Sequence, residues 1–361
     1  MSRPTTLSID IAALKHNLQQ VRVHATHSSI IAMVKANAYG HGIITAAKAL
    51  SDADAFGVAS LEEGMILREA GITQPIVLME GLFSGDELSL AEKYRFTLVI
   101  HHLPHIEMLE FAKVKQPFRV WLKINTGMHR LGFEPGQVHA VYQRLQSLSS
   151  IQQPIGLMTH FAEADHPDVD VTAQQRDLFM KLVAQYPGPK SMANSAAILA
   201  WSDTHADWVR PGLMLYGASP LLDKTGLDFQ LKPVMTLWSR LIAITSVKQG
   251  GKIGYGGTWT APEDMQVGIV GVGYGDGYPQ FAASGTPILI NGVECPLVGR
   301  VSMDMLSVDL RPLATAAVGD KVILWGEGLP VERVARTCKT SPYEILTRMT
   351  PRPKIYVADA G

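Results

Sequence analysis

AMVKANAYGHG, residues 32–42, decides how this chain is read. It continues an apolar run, Ile30 to Val34, that reads as a buried strand. Lys35 follows at once, and Tyr39 lies four residues on, in a loop that Gly40 and Gly42 tighten. A lysine at the end of a barrel strand faces the mouth where active sites lie. There a partly desolvated amine loses its proton and attacks a carbonyl carbon, forming a Schiff base. The Tyr39 hydroxyl is placed to hold a phosphate oxygen. On spacing alone, a surface lysine capping a strand competes with this reading.

Outward from that segment, further strand candidates fall at 56–59, 75–79, 97–100, 119–124, 155–159, 191–194 and 207–209. Helical patterns separate most of them, among them 62–70 and 174–186. Ile11, Leu14, Leu18 and Val21 share one helical stripe before the first strand. Eight such units in this stretch match a (β/α)8 barrel, which typically takes about 250 residues. A doubly wound sheet also alternates in this way, with fewer strands.

Near residue 225 the character changes. Residues 234–325 are rich in Val, Ile and Gly, and Asn291-Gly292 between PILI and VECPLV signals a hairpin. Two short helices are expected at 330–339 and 343–349. The expected architecture is α/β, a TIM-type barrel over residues 1–228 followed by a mainly β domain over 229–361.

Composition narrows the function. The 361 residues are 47% hydrophobic and 18% charged, with 32 Lys and Arg against 33 Asp and Glu. That balance lacks the basic excess of a nucleic-acid binder. Two distant cysteines, Cys295 and Cys338, exclude a CxxC metal or redox motif. Without a signal-peptide pattern or a long apolar run, a cytoplasmic protein off the membrane is expected. No GxGxxG, P-loop, HExxH or GxSxG occurs. His101, His102 and His105 are the densest histidine group; no acidic ligand adjoins them, so they read as a solvated surface segment and no metal is expected.

The VKANAYGHG motif resembles the cofactor-lysine motif of the bacterial alanine racemases, and the similarity runs along nearly the whole chain. The resemblance implies pyridoxal 5'-phosphate held in the barrel, and a head-to-tail homodimer in which the β domain completes the partner subunit's site. Lys35 then carries the cofactor. Tyr39, Ser195 in MANSAA, the amides of Gly212 and Leu213 in RPGLMLYG, and Tyr343 in SPYEILTR match phosphate-side positions. Arg210 matches the arginine facing the pyridine nitrogen, and His160 a histidine near the cofactor ring. An arginine has no acceptor, so it keeps that nitrogen unprotonated and favours racemisation over transamination.

Racemisation needs two acid/base groups on opposite faces of Cα. The resemblance assigns them to Lys35 and to Tyr255 of IGYGGTW, the latter contributed in trans. Arg130, in NTGMHRLGF, matches a substrate-carboxylate arginine, and Lys123 a lysine that is carbamylated in many members. The Met303 amide matches a substrate contact, and Tyr274 lines the entrance. The activity implied is interconversion of L- and D-alanine, supplying D-alanine for peptidoglycan. A serine or broad-specificity racemase on the same scaffold is the first alternative. A pyridoxal-phosphate decarboxylase is disfavoured by Arg210, and a non-enzymatic cofactor carrier by the β domain with Tyr255.

Overall fold

The computed structural model describes residues 3–358. Two compact units emerge. One contains Asn17–Leu215 with Pro220–Asp223; the other contains the residues through His16, Tyr216–Ser219 and those from Lys224 onward.

Strand β1 (Thr6–Asp10) comes first in the chain but belongs to the second unit. The barrel unit then runs β2 (Ser29–Met33), β3 (Ala55–Val58), β4 (Ile76–Leu78), β5 (Phe96–Ile100), β6 (Val120–Lys123), β7 (Gly156–Met158), β8 (Lys190–Ser191) and β9 (Trp208–Val209). These eight close into a barrel, each parallel to the next, with β9 returning to β2 through Ser29↔Trp208 and Ile30↔Val209. The strands are short and nearly all buried, because a parallel strand is covered by helices outside and packed side chains inside. Seven fall on the apolar runs expected, whereas β8 is Lys190–Ser191 and shares only Ser191 with the run expected at 191–194. The barrel therefore puts Lys35, Lys123 and His160 at or just beyond the C-terminal ends of β2, β6 and β7.

The second unit contains β10 (Met235–Val247), β11 (Lys252–Ile253), β12 (Trp259–Thr260), β13 (Met265–Val270), β14 (Pro287–Ile290), β15 (Val293–Val298), β16 (Leu306–Asp309), β17 (Lys321–Trp325) and β18 (Lys354–Ala358). Its main sheet orders β13-β16-β15-β14-β17-β10-β1-β18, and β10 also pairs with β13. The thirteen residues of β10 make both pairings possible, the first part facing β17 and the last part β13, with a register shift between Leu241 and Ala243. Asn291 and Gly292 both have positive φ, 46° and 83°, so they make the hairpin turn expected between β14 and β15. The short helices Val331–Thr337 and Pro342–Thr347 follow the sheet.

The boundary after residue 228 needs correction at the N-terminus. Leu7 and Ile9 are buried in the second unit, where β1 pairs antiparallel with β10 and parallel with β18. Such a strand has no local signal, since its partners lie more than 200 residues away.

Candidate active site

The turn that carries Lys35 is unusual. Ala36, Asn37, Ala38 and Tyr39 all have φ of 52–53°, in the left-handed region. Left-handed helical geometry costs an L-residue roughly 1–2 kcal/mol. Only a surrounding structure that over-determines the turn sustains four in a row. Glu63 supplies part of it, its carboxylate accepting from the Ala36 amide at 2.7 Å and the Ala59 amide at 2.8 Å. Asn37 Oδ1 accepts from the Ile43 amide at 2.9 Å. The outcome is a half-buried Lys35 beside a buried Tyr39.

Tyr39 reaches the turn that follows β9. A Cβ added at Gly212 would stand 2.3 Å from the Tyr39 hydroxyl, so only glycine leaves room for it. From the other side, Ser195 Oγ accepts from the amides of Gly212 at 2.8 Å and Met214 at 3.3 Å. Asn194 caps the helix Ser195–Ala200 through the Ala197 amide, fixing Ser195 in place. Two hydroxyls and converging amides therefore meet at the start of the Leu213–Tyr216 turn, a natural cradle for an anion.

Arg210 is buried, and its guanidinium donates only to neutral acceptors. These are Ser191 Oγ and the Thr159 carbonyl, both at 2.6 Å, the Met192 carbonyl at 3.1 Å and His160 Nδ1 at 3.2 Å. Among the described residues no ion pair includes it; Asp207 accepts instead from the Lys190 amide. Burial lowers the Arg210 pKa to about 10. A buried cation without a counter-charge is costly unless a ligand uses it. His160 is held well below its ordinary value by burial first, then by the charges of Arg210, Lys123, Arg130 and Lys35. It is a neutral imidazole that receives Arg210's hydrogen bond at Nδ1.

Lys123 is buried as well. Burial, then Arg210, Arg130 and Lys35, lower its pKa to about 7, with Glu80 acting in the opposite sense. Lys123, Arg130 and His160 line one small cavity with Asn125, Thr126 and Met128. The loop carrying Arg130 is anchored by Asn125, whose Oδ1 accepts from the Gly127 and His129 amides. Arg130 itself is exposed. The barrel mouth thus gathers Lys35, Lys123, Arg130 and Arg210, a field that favours phosphate and carboxylate groups.

The remaining expected residues lie in the second unit. Tyr255 tops the β11–β12 hairpin, which is anchored by Ile253, Ala261, Met265, Val267 and Val298. It is 71% exposed. The hairpin packs Gly254 against Arg300, and Arg300 Nη1 lies 3.8 Å from where a side chain at Gly256 would begin. The same loop continues to Ser302 and Met303, whose carbonyls accept from the Tyr274 and Gly275 amides at 3.1 and 2.9 Å. The Tyr274 turn meets the segment after the helix of Tyr343, because Thr350 Oγ1 donates to the Gly275 carbonyl. Tyr255, Tyr274, Met303 and Tyr343 are therefore tied through one set of adjoining turns.

Sequence reasoning missed the residues that aim this machinery: Glu63, Asn125, Thr159 and Ser191, together with Gln175, which donates to the His160 carbonyl at 3.2 Å. None carries a motif. It also misjudged the histidine trio. His105 is buried and His101 half-buried, so only His102 fits a solvated segment.

The fold and site define a class: a barrel enzyme with a lysine in a strained turn, an anion cradle and a buried arginine, joined to a β unit bearing an exposed tyrosine. Residues 9–220 match the alanine racemase N-terminal domain, and residues 234–357 the alanine racemase C-terminal domain. A biosynthetic alanine racemase of Escherichia coli (strain K12) is 50% identical over 355 residues, 98% of this chain and 99% of that one. The crystal structure of the biosynthetic alanine racemase from Pseudomonas aeruginosa superposes with a TM-score of 0.96 at 43% identity, covering 99% of this chain and all of that one. The alanine racemase from Acinetobacter baumannii follows at 0.93 and 42%, again over 99% and 100%. The chain belongs to the alanine racemase family, and it is a pyridoxal-phosphate-dependent amino-acid racemase. Among the described residues no helix is long and apolar enough to cross a membrane.

Proposed function

We propose that Lys35 and Tyr255 are the two acid/base groups with which this racemase interconverts L- and D-alanine, and that the barrel mouth seats pyridoxal 5'-phosphate. The residues present fit that group. The amides and hydroxyls of Tyr39, Ser195, Gly212 and Leu213 suit a phosphate, and the counter-charge-free Arg210 suits a pyridine nitrogen lone pair; Tyr343 is proposed as a further phosphate contact. When bound, the cofactor supplies an electron sink that acidifies the Cα–H bond of the amino acid.

The protein's part is positioning and proton handling. Lys35 would hold the cofactor covalently and move a proton at one face of Cα; Tyr255 would move a proton at the other. Arg300 lies beside the Tyr255 turn. Arg130 and the Met303 amide hold the substrate carboxylate. His160, neutral, orients Arg210. Tyr274, Tyr255 and Tyr343 narrow the entrance to a small side chain, which favours alanine over bulkier substrates.

The observation that carries the reading is Arg210, buried with neutral partners only. Set toward the ring nitrogen of the bound cofactor, it would offer no acceptor that could keep a proton there, and the cofactor would then supply a weaker electron sink. Arg210→Glu is expected to raise pyruvate formed per racemisation event by at least ~10-fold, measured with a coupled dehydrogenase. An unchanged ratio would remove this account of the arginine.

A homodimer is part of the proposal. Tyr255, Met303, Met305 and Tyr343 are large side chains left exposed on the second unit. Supplied in trans, they would complete a partner subunit's barrel in a head-to-tail pair.

Lys123 is proposed as the site of carbamylation. Its neutral amine adds carbon dioxide, forming an N–C bond and releasing one proton, and the new carboxylate offsets the cations around it. Because its pKa is lowered to about 7, the reactive amine predominates above that pH and is lost below it. In 13C-bicarbonate the carbamate resonance should therefore grow as pH rises through about 7, and vanish in Lys123→Ala. A spectrum without that resonance a unit above the midpoint would show an unmodified lysine.

A further inference from the structure

We propose that His101, His102 and His105 form a binding site for one divalent transition-metal ion of the zinc type, at the C-terminal end of β5. A ring nitrogen of each lies within 4.8 Å of the other two. The rings are in mutual contact, with centroids 3.8 Å apart for His102 and His105 and 4.5 Å for His101 and His105.

Hydrogen bonding sets the tautomers. His105 Nε2 lies 2.9 Å from the Leu82 carbonyl, and His101 Nε2 lies 2.9 Å from the Glu80 carbonyl. A carbonyl only accepts, so both Nε2 atoms carry the proton and both Nδ1 atoms keep a lone pair. Backbone carbonyls holding the outer nitrogen of a metal-ligating histidine are the usual second shell of such sites. His105 is 3% exposed, and its Nδ1 is buried without a hydrogen-bond partner. A buried nitrogen acceptor left unpaired calls for a ligand.

The fold makes room for this arrangement. Gly81 has φ of 73°, and a Cβ there would stand 2.3 Å from His105 Cε1 and 2.7 Å from the Val99 carbonyl. A side chain at 81 would expel the His105 ring. Tetrahedral zinc at about 2.0–2.1 Å from each nitrogen asks for nitrogen separations of roughly 3.4 Å. His102, exposed and at the N-cap of the helix Leu103–Phe111, is the ring free to close that gap. Three imidazole ligands suit zinc, nickel or copper rather than magnesium or calcium. Solvent would take the fourth position.

The test is calorimetric titration of tag-free, chelator-treated holoenzyme with zinc chloride. One ion per chain should bind saturably, and His102→Ala and His101→Gln should each weaken it at least ~10-fold. His102→Ala removes an exposed side chain, so its melting temperature without metal should match the parent. An absence of saturable one-to-one binding would overturn the site. So would binding that both variants leave unchanged, because the zinc would then sit elsewhere.

Discussion

Lys35→Ala abolishes racemisation, by at least ~10⁴-fold in kcat/KM, and the purified protein loses the yellow colour of lysine-bound pyridoxal phosphate. Two contributions vanish together: the covalent attachment and the proton transfer at one face of Cα. A positioned acid/base group alone is worth about 10²–10⁴-fold. The fold should survive, because the turn is held by Glu63 and Asn37 rather than by the lysine's amine. Phosphate-side contacts remain, so the variant still takes up cofactor, but without the covalent bond. A Lys35→Ala protein in which borohydride reduction leaves the cofactor attached to the chain after denaturation would place the attachment on another lysine. Lys123, with its pKa near 7, would be the first suspect.

Tyr255→Phe separates the two bases. It removes one oxygen from a side chain that is 71% exposed in the chain, so thermal stability should change little. Racemisation in both directions should fall by about 10²–10⁴-fold, since each direction needs one group to take the proton and the other to return it. Lys35 still serves its own face. The variant should therefore exchange the Cα proton of D-alanine with solvent while scarcely converting it to L-alanine. Exchange and racemisation lost in equal measure would point to misplacement of the substrate. Full activity would remove Tyr255 from the reaction, and with it the argument that the β unit is catalytic.

The barrel was legible because a parallel strand buried on both sides is a bare apolar run, and helices stand between such runs. The hairpin at Asn291-Gly292 was legible because two adjacent positive φ angles select those residues. The N-terminal strand was not, since TLSID gains its meaning only from β10 and β18, far along the chain. Lys35 and Tyr255 could be named from motifs, yet their settings could not. Of Ala36-Asn37-Ala38-Tyr39 only Asn37 favours left-handed backbone; the hydrogen bonds of Glu63 to the Ala36 amide and of Asn37 to the Ile43 amide help to hold the run. The neutral partners of Arg210 come from two different strand ends, those of β7 and β8, and Arg300 approaches the Tyr255 turn only through folding. The histidine trio was misread for a related reason: exposure was inferred from polarity, whereas the space left at Gly81 and the Leu82 carbonyl draw His105 inside.

The most direct test of the two-base account follows L-alanine with the holoenzyme in heavy water, recording optical activity and deuterium at Cα together. Loss of optical activity with deuterium entering both enantiomers is the result expected if Lys35 and Tyr255 each handle a solvent-exchangeable proton. Retained optical activity with no deuterium incorporated would contradict it.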